Sequence, residues 1–348
     1  MPPRGRKKLA PVKNNVNEYI KPLQHEKINI KMEPQVIVVD EYSDPPSIDE
    51  DSSSEDERST FINEFLTTVD RHHIGDLSFV PNYAEQIIIN LQKQEISTRI
   101  PIQNFSEIQK EVTLRMRTIV IRWLINVHHE YDLTSETLFT SIYYFDYVLS
   151  QIFIRKQKIQ LLGSVCLWIA AKIHEISPPS VNVLIELCST QYELSDFEEY
   201  ERLVLNVLHF RLHIPHTKFF LRRYIDALEL RPSVIEAANF ICESSLFSYE
   251  LNQYNPSTVA AAIIIIAITL MKNFLPLKKL KYYAHLQNYI EVEECIACLV
   301  FCSREVLDSK KGAIYQKYTD SSSEGALLHA EFNDELINRI INLGLSRE

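Results

Sequence analysis

Glycine is scarce in this chain, with only six glycines among 348 residues. Rossmann turns and P-loops depend on clustered glycines, so both kinds of phosphate site are disfavoured. No nucleophile elbow occurs, and His128, His129 and Glu130 lack the spacing of the H-E-x-x-H zinc motif. The sequence therefore offers no catalytic constellation, and no cofactor is expected.

The chain also lacks an N-terminal apolar run of the kind found in signal peptides, which favours a cytosolic or nuclear protein. Its six cysteines are then expected to be reduced. Cys295, Cys298 and Cys302 fall on one helix face, but no fourth ligand stands near them, so we expect them to pack in a core rather than bind zinc.

The net charge of −10 is unevenly distributed along the chain. Residues 1–31 carry eight basic and two acidic side chains, whereas residues 32–57 carry ten acidic and no basic ones. This charged and proline-bearing composition is typical of chains that cannot bury enough apolar surface to fold. We therefore predict a disordered tail over residues 1–80.

The most informative stretch runs from Lys158 to Glu175 and is apolar on nearly every side. A helix of this kind is buried all round, and this one is shorter than the about 20 apolar residues that span a bilayer. It ends on Lys172 and Glu175 before a Ser-Pro-Pro-Ser stop, so we expect function at that end. A second such helix, at 258–271, closes on Lys272 and suggests a duplicated helical domain.

No stretch alternates with period two, so we predict an all-α fold. Apolar spacing and capping residues, among them Thr134 and Ser195, predict helices over residues 81–95, 113–131, 134–150, 158–175, 181–188, 197–208, 218–228, 233–249, 256–271, 277–289, 291–303 and 332–343. A short helix over 61–69 is a further prediction. The segment His213-Ile214-Pro215 is expected to be a hinge between two groups of five helices.

Three segments resemble the first cyclin box of mitotic A- and B-type cyclins: Met116–Ser150, Lys158–Pro179 and Tyr192–Leu212. The resemblance implies tandem cyclin boxes, which are two five-helix bundles, with a preceding N-terminal helix. It places the tail at 1–80, the helix and linker at 81–110, the boxes at 111–213 and 214–308, and a C-terminal tail at 309–348. It also implies a non-enzymatic subunit that binds and activates a cyclin-dependent kinase as a heterodimer.

The resemblance assigns the kinase contact to Lys172 and Glu201, which match a lysine and a glutamate that bond to the kinase's C-helix. Taken alone, Lys172 is an ordinary solvated lysine favoured by a helix C-terminus. Ile173 and His174 stand where the family has an aromatic residue and a glutamate, which puts kinase affinity or choice in question. Phe210 matches an aromatic residue that lies against the kinase.

Met116, Val120 and Trp123 form one helical stripe, for which a core position is the usual interpretation. The resemblance instead implies an exposed patch, completed by Gln160, that docks substrate proteins carrying RxL-type motifs. Asn126 and Arg122 replace family acids, so docking of basic peptides is expected to be weaker.

Arg117 and Asp146 match the family's internal ion pair, which is structural. In the tail, Arg6, Leu9 and Asn14 fit the destruction box that ubiquitin-ligase co-receptors read in mitotic cyclins.

Other tail motifs are Lys31 and the run Val36–Val39, which resemble SUMO attachment and SUMO-interaction motifs. A basic run near the start is compatible with nuclear import, so the nucleus and cytoplasm are the expected locations.

The main alternative is a transcription-factor-like tandem cyclin fold that binds DNA or polymerase machinery. DNA binding needs a basic stripe for phosphates. Residues 110–310 carry 20 Lys and Arg against 22 Asp and Glu, which argues against direct nucleic-acid contact. A helical enzyme is a more distant alternative, and no membrane association is expected.

The tail motif gives the first testable prediction. Residues 1–80 fused to a stable reporter should be degraded as cells leave mitosis, because a flexible segment lets a receptor take Arg6 and Leu9 in extended form. Arg6→Ala with Leu9→Ala should stabilise the fusion, while substitutions at Ser52, Ser53 and Ser54 should not. A reporter level that stays flat through mitotic exit would remove the destruction-box interpretation.

Overall fold

The computed structural model describes residues 83–188, 192–272, 276–284, 289–320 and 331–341. Residues from Gln86 onward lie in one compact unit, and of a second unit, residues 21–85, only 83–85 are described. The helices are α1 (Ala84–Ser97), α2 (Gln103–Ile108), α3 (Leu114–Glu130), α4 (Ser135–Gln151), α5 (Ile159–His174), α6 (Val181–Leu187), α7 (Leu194–Val207), α8 (Thr217–Leu228), α9 (Pro232–Ser245), α10 (Pro256–Leu270), α11 (Leu277–Ala284), α12 (Tyr289–Ser309), α13 (Ala313–Asp320) and α14 (Asp334–Ile341). The described residues contain no strand, which confirms the all-α prediction.

The first bundle is built around α5, which packs against α3, α4, α6 and α7. Every residue of α5 from Ile159 to Ala171 is buried except Trp168, which is half-buried. Exposure begins only at Lys172, in the last turn. The prediction of a central helix is confirmed, and its physical basis is the all-round apolar composition.

The second bundle repeats this arrangement around α10, which packs against α8, α9, α11 and α12. All residues from Ser257 to Ile268 are buried. The C-terminal helix α14 also packs on α10, and Arg339 donates a hydrogen bond from Nη2 to the Thr269 carbonyl over 2.8 Å. Helix α14 therefore adds a further helix against the central helix of the second bundle.

The segment before the first bundle contacts both bundles. Buried Glu95 of α1 accepts hydrogen bonds from the Ser257 backbone N–H (2.9 Å) and hydroxyl (2.5 Å) at the start of α10. Burial raises the pKa of Glu95, and these two hydrogen bonds oppose the rise. Further along, the Gln109 amide donates to the Leu149 and Ile152 carbonyls at the end of α4, each over 2.7 Å.

Several helix bounds differ from the predictions for local reasons. Helix α7 begins at Leu194 with Glu193 as its cap, because Glu193 and Asp196 form a reciprocal capping box; the predicted cap, Ser195, lies inside the helix. Helix α9 ends at Ser245, and α12 runs on to Ser309. Helices α2 and α13 were not predicted. The predicted helix at 61–69 lies outside the described residues.

Gly163 sets the distance between α3 and α5. A Cβ atom built on Gly163 would lie 2.7 Å from Val120 Cγ1 and 3.8 Å from Leu124 Cδ1. Contacts under 3 Å are too short for packed carbon atoms, so the glycine is what permits this approach. The close crossing buries the Val120 side chain completely.

Gly163→Ala is therefore expected to destabilise the chain. The overpacking strain outweighs the about 1 kcal/mol that alanine gains over glycine in a helix, leaving a net loss of about 1–2 kcal/mol in denaturant unfolding. Val120→Ala removes the clashing methyl group, so the double variant should lose less stability than the sum of the single losses. Additive losses would show that the close approach does not depend on Gly163.

Candidate partner-binding site

The candidate site is the C-terminal end of α5, where this buried helix meets solvent. The ammonium group of Lys172 donates to the Glu201 carboxylate on α7 and lies 3.8 Å from the Trp168 ring centroid. The side chains of Lys172 and Glu201 are 36% and 22% exposed. The structure thus brings together the two residues assigned to the kinase contact, at a solvent-facing position.

Helix α7 presents Glu201 because its apolar residues lie on one face. Phe197 and Val204 are buried against the first bundle, and the Trp168 ring meets the Phe197 ring edge to face at 6.4 Å. The capping box fixes the start of α7, so the register of Glu201 against α5 follows from the sequence of that first turn.

His174 and Glu175 attach the end of α5 to α4. His174 Nε2 lies 3.1 Å from the Thr140 hydroxyl, and burial lowers the pKa of His174 although Glu136 opposes the shift. Glu175 Oε1 accepts from the Thr134 backbone N–H over 2.8 Å and from the Thr137 hydroxyl over 2.5 Å. Burial opposes ionisation of Glu175, but these hydrogen bonds prevail and lower its pKa.

Glu175 is a positioning residue that sequence reasoning missed. In the sequence, Glu175 stands out only as a charge at the end of the apolar stretch. The signal that could have found it is the Thr134 cap with Thr137 three residues on, since a helix N-terminus attracts a carboxylate. The Oε1 atom of Glu175 already accepts hydrogen bonds from the first turn of α4. Glu175 therefore fixes the C-terminal end of α5 and does not offer this atom as a free acceptor to a partner.

Several apolar side chains follow Lys172 and Glu201 in the sequence. Ile173 is half-buried, whereas Ile176 is fully exposed and Phe210 is 63% exposed. Phe210 follows α7 in a left-handed conformation, φ 57°, and its N–H donates to the Leu205 carbonyl over 3.0 Å. This turn directs the chain back and leaves the Phe210 ring in solvent.

The predicted docking patch is not an exposed surface, so that part of the prediction is wrong. Val120 is 0% exposed, Trp123 6% and Gln160 1%, whereas Met116 is half-buried. For Val120 the cause is the close crossing of α3 and α5 at Gly163. The second apolar face of α3, formed by Ile121, Leu124 and Ile125, is buried as well.

The two positions that depart from the family's docking pattern remain accessible. Arg122 is exposed, with its guanidinium carbon 5.8 Å from the Phe247 ring centroid, and Asn126 is half-buried. Together with Ile125 they line a small cavity between α3 and the ends of α12 and α13, with a volume of about 60 Å³.

Arg117 and Asp146 form a buried, two-pronged ion pair, with Nε–Oδ1 at 2.7 Å and Nη2–Oδ2 at 2.6 Å. The guanidinium also donates to the carbonyls of Phe247 (2.9 Å) and Leu246 (3.2 Å), and the Asn252 amide donates to Asp146 over 2.8 Å. The ion pair itself was predicted from the sequence, whereas its contacts with the second bundle were not.

The remaining predictions concern the cysteines of α12, membrane-spanning helices and the tail motifs. Cys295 and Cys302 are buried and Cys298 is half-buried on α12, and the described residues hold no cluster suited to a metal ion. None of the described helices is long and apolar enough to cross a membrane. Arg6, Leu9 and Asn14 lie outside the described residues, as do Lys31 and residues 36–39.

Comparison with known families gives two adjoining matches. Residues 86–213 match the family described as "Cyclin, N-terminal domain". Residues 215–331 match "Cyclin, C-terminal domain". The junction falls in the non-helical segment between α7 and α8.

Among curated proteins, the chain is similar to "Cyclin-A2-1" of Oryza sativa subsp. japonica, with 33% identity over 258 residues, covering 72% of this chain and 52% of the relative. It is also similar to "G2/mitotic-specific cyclin-B3" of Mus musculus, with 31% identity over 243 residues, covering 69% of this chain and 17% of the relative. The chain thus spans about half of the first relative, 52%, and a small part of the second.

Among solved structures, a viral cyclin from herpesvirus saimiri superposes with a TM-score of 0.55 at 22% sequence identity. The match covers 63% of this chain and 97% of the viral protein. At this level of identity, the likeness establishes a shared fold.

Proposed function

The chain belongs to the cyclin family, and we propose that it is a regulatory subunit that binds and activates a cyclin-dependent kinase. The observation that carries the proposal is the exposed Lys172–Glu201 pair at the end of the buried central helix. A donor and an acceptor on neighbouring helices can bond to the backbone of one partner helix.

The proposed mechanism follows from the kinase C-helix, which such a contact would hold in place. In a protein kinase, a glutamate of the C-helix must pair the lysine that holds the nucleotide phosphates, and nucleotide is mispositioned without that pair. Lys172 and Glu201 bond to each other in the free chain. An exposed pair of this kind contributes at most about 1 kcal/mol, so exchanging it for bonds to a kinase helix costs little.

Control of the G2-to-mitosis transition is the finer part of the proposal. It is supported by the name of the mouse relative, "G2/mitotic-specific cyclin-B3". Degradation through Arg6, Leu9 and Asn14 by a ubiquitin ligase co-receptor, and residence in nucleus and cytoplasm, belong to the same proposal and depend on tail motifs alone.

The kinase contact is tested by charge reversal. Lys172→Glu and Glu201→Lys should each abolish activation of a cyclin-dependent kinase in a purified assay while leaving the thermal midpoint within a few degrees. The double variant restores the ion pair with reversed polarity, so it should regain stability but stay inactive. Activation by the double variant would show that the pair is only structural.

A matched control for these variants is Lys158→Glu. Lys158, the residue just before α5, pairs with Asp196 of α7 over 2.7 Å and at similar exposure, 33% and 28%. This variant removes a comparable ion pair to α7 away from the proposed site, so it should activate the kinase normally. A loss equal to that of Lys172→Glu would mean that bundle packing, not the partner contact, is being measured.

Substrate docking on α3 is a second part of the proposal, with a smaller accessible surface than the sequence implied. Its support is that Met116 is half-buried and Arg122 is exposed on α3, so that a bound peptide could reach either side chain. The guanidinium of Arg122 makes this surface less suited to basic peptides.

Met116→Ala should reduce phosphorylation of a docking-motif substrate severalfold and leave a short peptide without the motif unaffected, because docking raises local substrate concentration only. Phe301→Ala, which truncates a 50% exposed ring on α12, is the control and should change neither rate. Trp123→Ala is unsuitable as a probe, since removing a buried Trp costs about 3–5 kcal/mol. Equal losses on both substrates for Met116→Ala would contradict docking.

A further inference from the structure

The connection between α5 and α6 contains a serine that is directly followed by proline. The chain has 15 prolines, and only Pro178 comes after a serine or a threonine, which is Ser177. Proline-directed protein kinases are those that require a proline immediately after the residue that they phosphorylate. The whole sequence therefore offers such a kinase a single acceptor hydroxyl.

The local structure leaves Ser177 accessible. Helix α5 ends at His174 and α6 begins at Val181, so Ser177 lies in a short non-helical segment. Ser177 and Pro178 are both exposed, and Ile176 before them is fully exposed. A protein kinase can therefore reach the hydroxyl in the folded chain.

The backbone of this segment suits an acceptor peptide. A residue before proline is disfavoured in the helical region and is pushed toward an extended conformation. Among the described residues, none forms a backbone hydrogen bond with residues 176–179. The segment can therefore enter a kinase cleft without opening either of the helices that flank it.

Ser177 is held close to the candidate partner-binding site. Lys172 lies in the last turn of α5, and the Glu175 carboxylate is hydrogen-bonded to Thr134 and Thr137 at the start of α4. Two residues of extended chain span at most about 7 Å, which limits the distance between Ser177 and Glu175. A group attached to Ser177 thus stays near the C-terminal end of α5.

We propose that Ser177 is a phosphorylation site for a proline-directed protein kinase, and that its phosphate weakens the binding of a partner to the C-terminal end of α5. The Ser177 oxygen attacks the γ-phosphorus of ATP, and the bond to the β–γ bridging oxygen breaks. ADP leaves, and the serine proton passes to the catalytic aspartate of the kinase. The second half of the proposal rests on the proposed function.

The effect on binding follows from the charge of the phosphate, which is about −1.5 to −2 at neutral pH. A partner helix that covers Lys172 and the exposed Ile176 would have to remove water from this charge, which costs free energy. Because coupling between two binding events is reciprocal, a bound partner should equally protect Ser177 from phosphorylation.

The first test treats the native full chain with ATP and a purified mitogen-activated protein kinase, which is proline-directed, followed by intact-mass measurement and phosphopeptide mapping. One phosphate should be added, at Ser177. Ser177→Ala and Pro178→Ala should each abolish it. The matched control is Ser180→Ala, which should not, since exposed Ser180 lies in the same segment and its side chain makes no capping hydrogen bond to α6.

A generic Ser-Pro peptide serves as the control for activity of the kinase in this test. A native chain that stays unmodified while that peptide is labelled overturns the site. A first phosphate at any other residue overturns it as well.

The second test compares the phosphorylated and unmodified chains in activation of a cyclin-dependent kinase. The concentration for half-maximal activation should rise severalfold on phosphorylation, and Ser177→Ala given the same treatment should show no rise. An unchanged concentration overturns the second half of the proposal. If the unmodified chain fails to activate, the proposed function falls and takes the second half with it, whereas the phosphorylation site is judged by the mapping alone.

Discussion

The buried ion pair between Arg117 and Asp146 fixes the geometry on which the rest of the molecule depends. Burying two charges costs several kcal/mol each unless hydrogen bonds satisfy both groups. Here the carboxylate receives two guanidinium bonds and one from Asn252, while the guanidinium also reaches the Leu246 and Phe247 carbonyls. Since these last partners belong to the second bundle, the cost of burial is offset only when both bundles are in place.

The exposure of the C-terminal end of α5 also follows from the burial of the rest of that helix. A helix that is apolar all round has no free face, so its end is where it can meet a partner. Glu175 holds that end to the start of α4, and the Trp168 ring supports the Lys172 ammonium group. The charges of Lys172 and Glu201 are therefore presented on a rigid base, which reduces the ordering cost of the proposed kinase contact.

Much of the fold could be predicted because apolar period and capping residues agree. Thr113 and Thr134 each accept a backbone N–H from the first turn of the helix they precede, so α3 and α4 begin where the sequence indicates. Helix α7 was placed late because Glu193, an uncommon cap, competes with the serine two residues on. Helix α13 was not predicted although the shorter α6 was, so length alone does not decide. The buried apolar residues of α13 are Ile314 and Tyr318, which are too few for a period to show.

The structure agrees with only part of the candidate site that the sequence predicted. Motif matching paired Lys172 with Glu201, which the structure brings together, but it could not tell a buried stripe from an exposed one. Val120 and Trp123 have the spacing of either. For Val120 the deciding residue is Gly163 on another helix, which the stripe itself does not reveal. Such burial is a property of helix pairs and not of one helix.

The contact between Glu95 and Ser257 has a consequence for the order in which the chain folds. These residues are 162 positions apart, so α1 is made well before its partner. During synthesis the first bundle can begin to form from local contacts, although burial of its Arg117–Asp146 pair is offset only once the second bundle is present. Helix α1 has to wait for α10, so this long loop closes only after the start of α10 has been made.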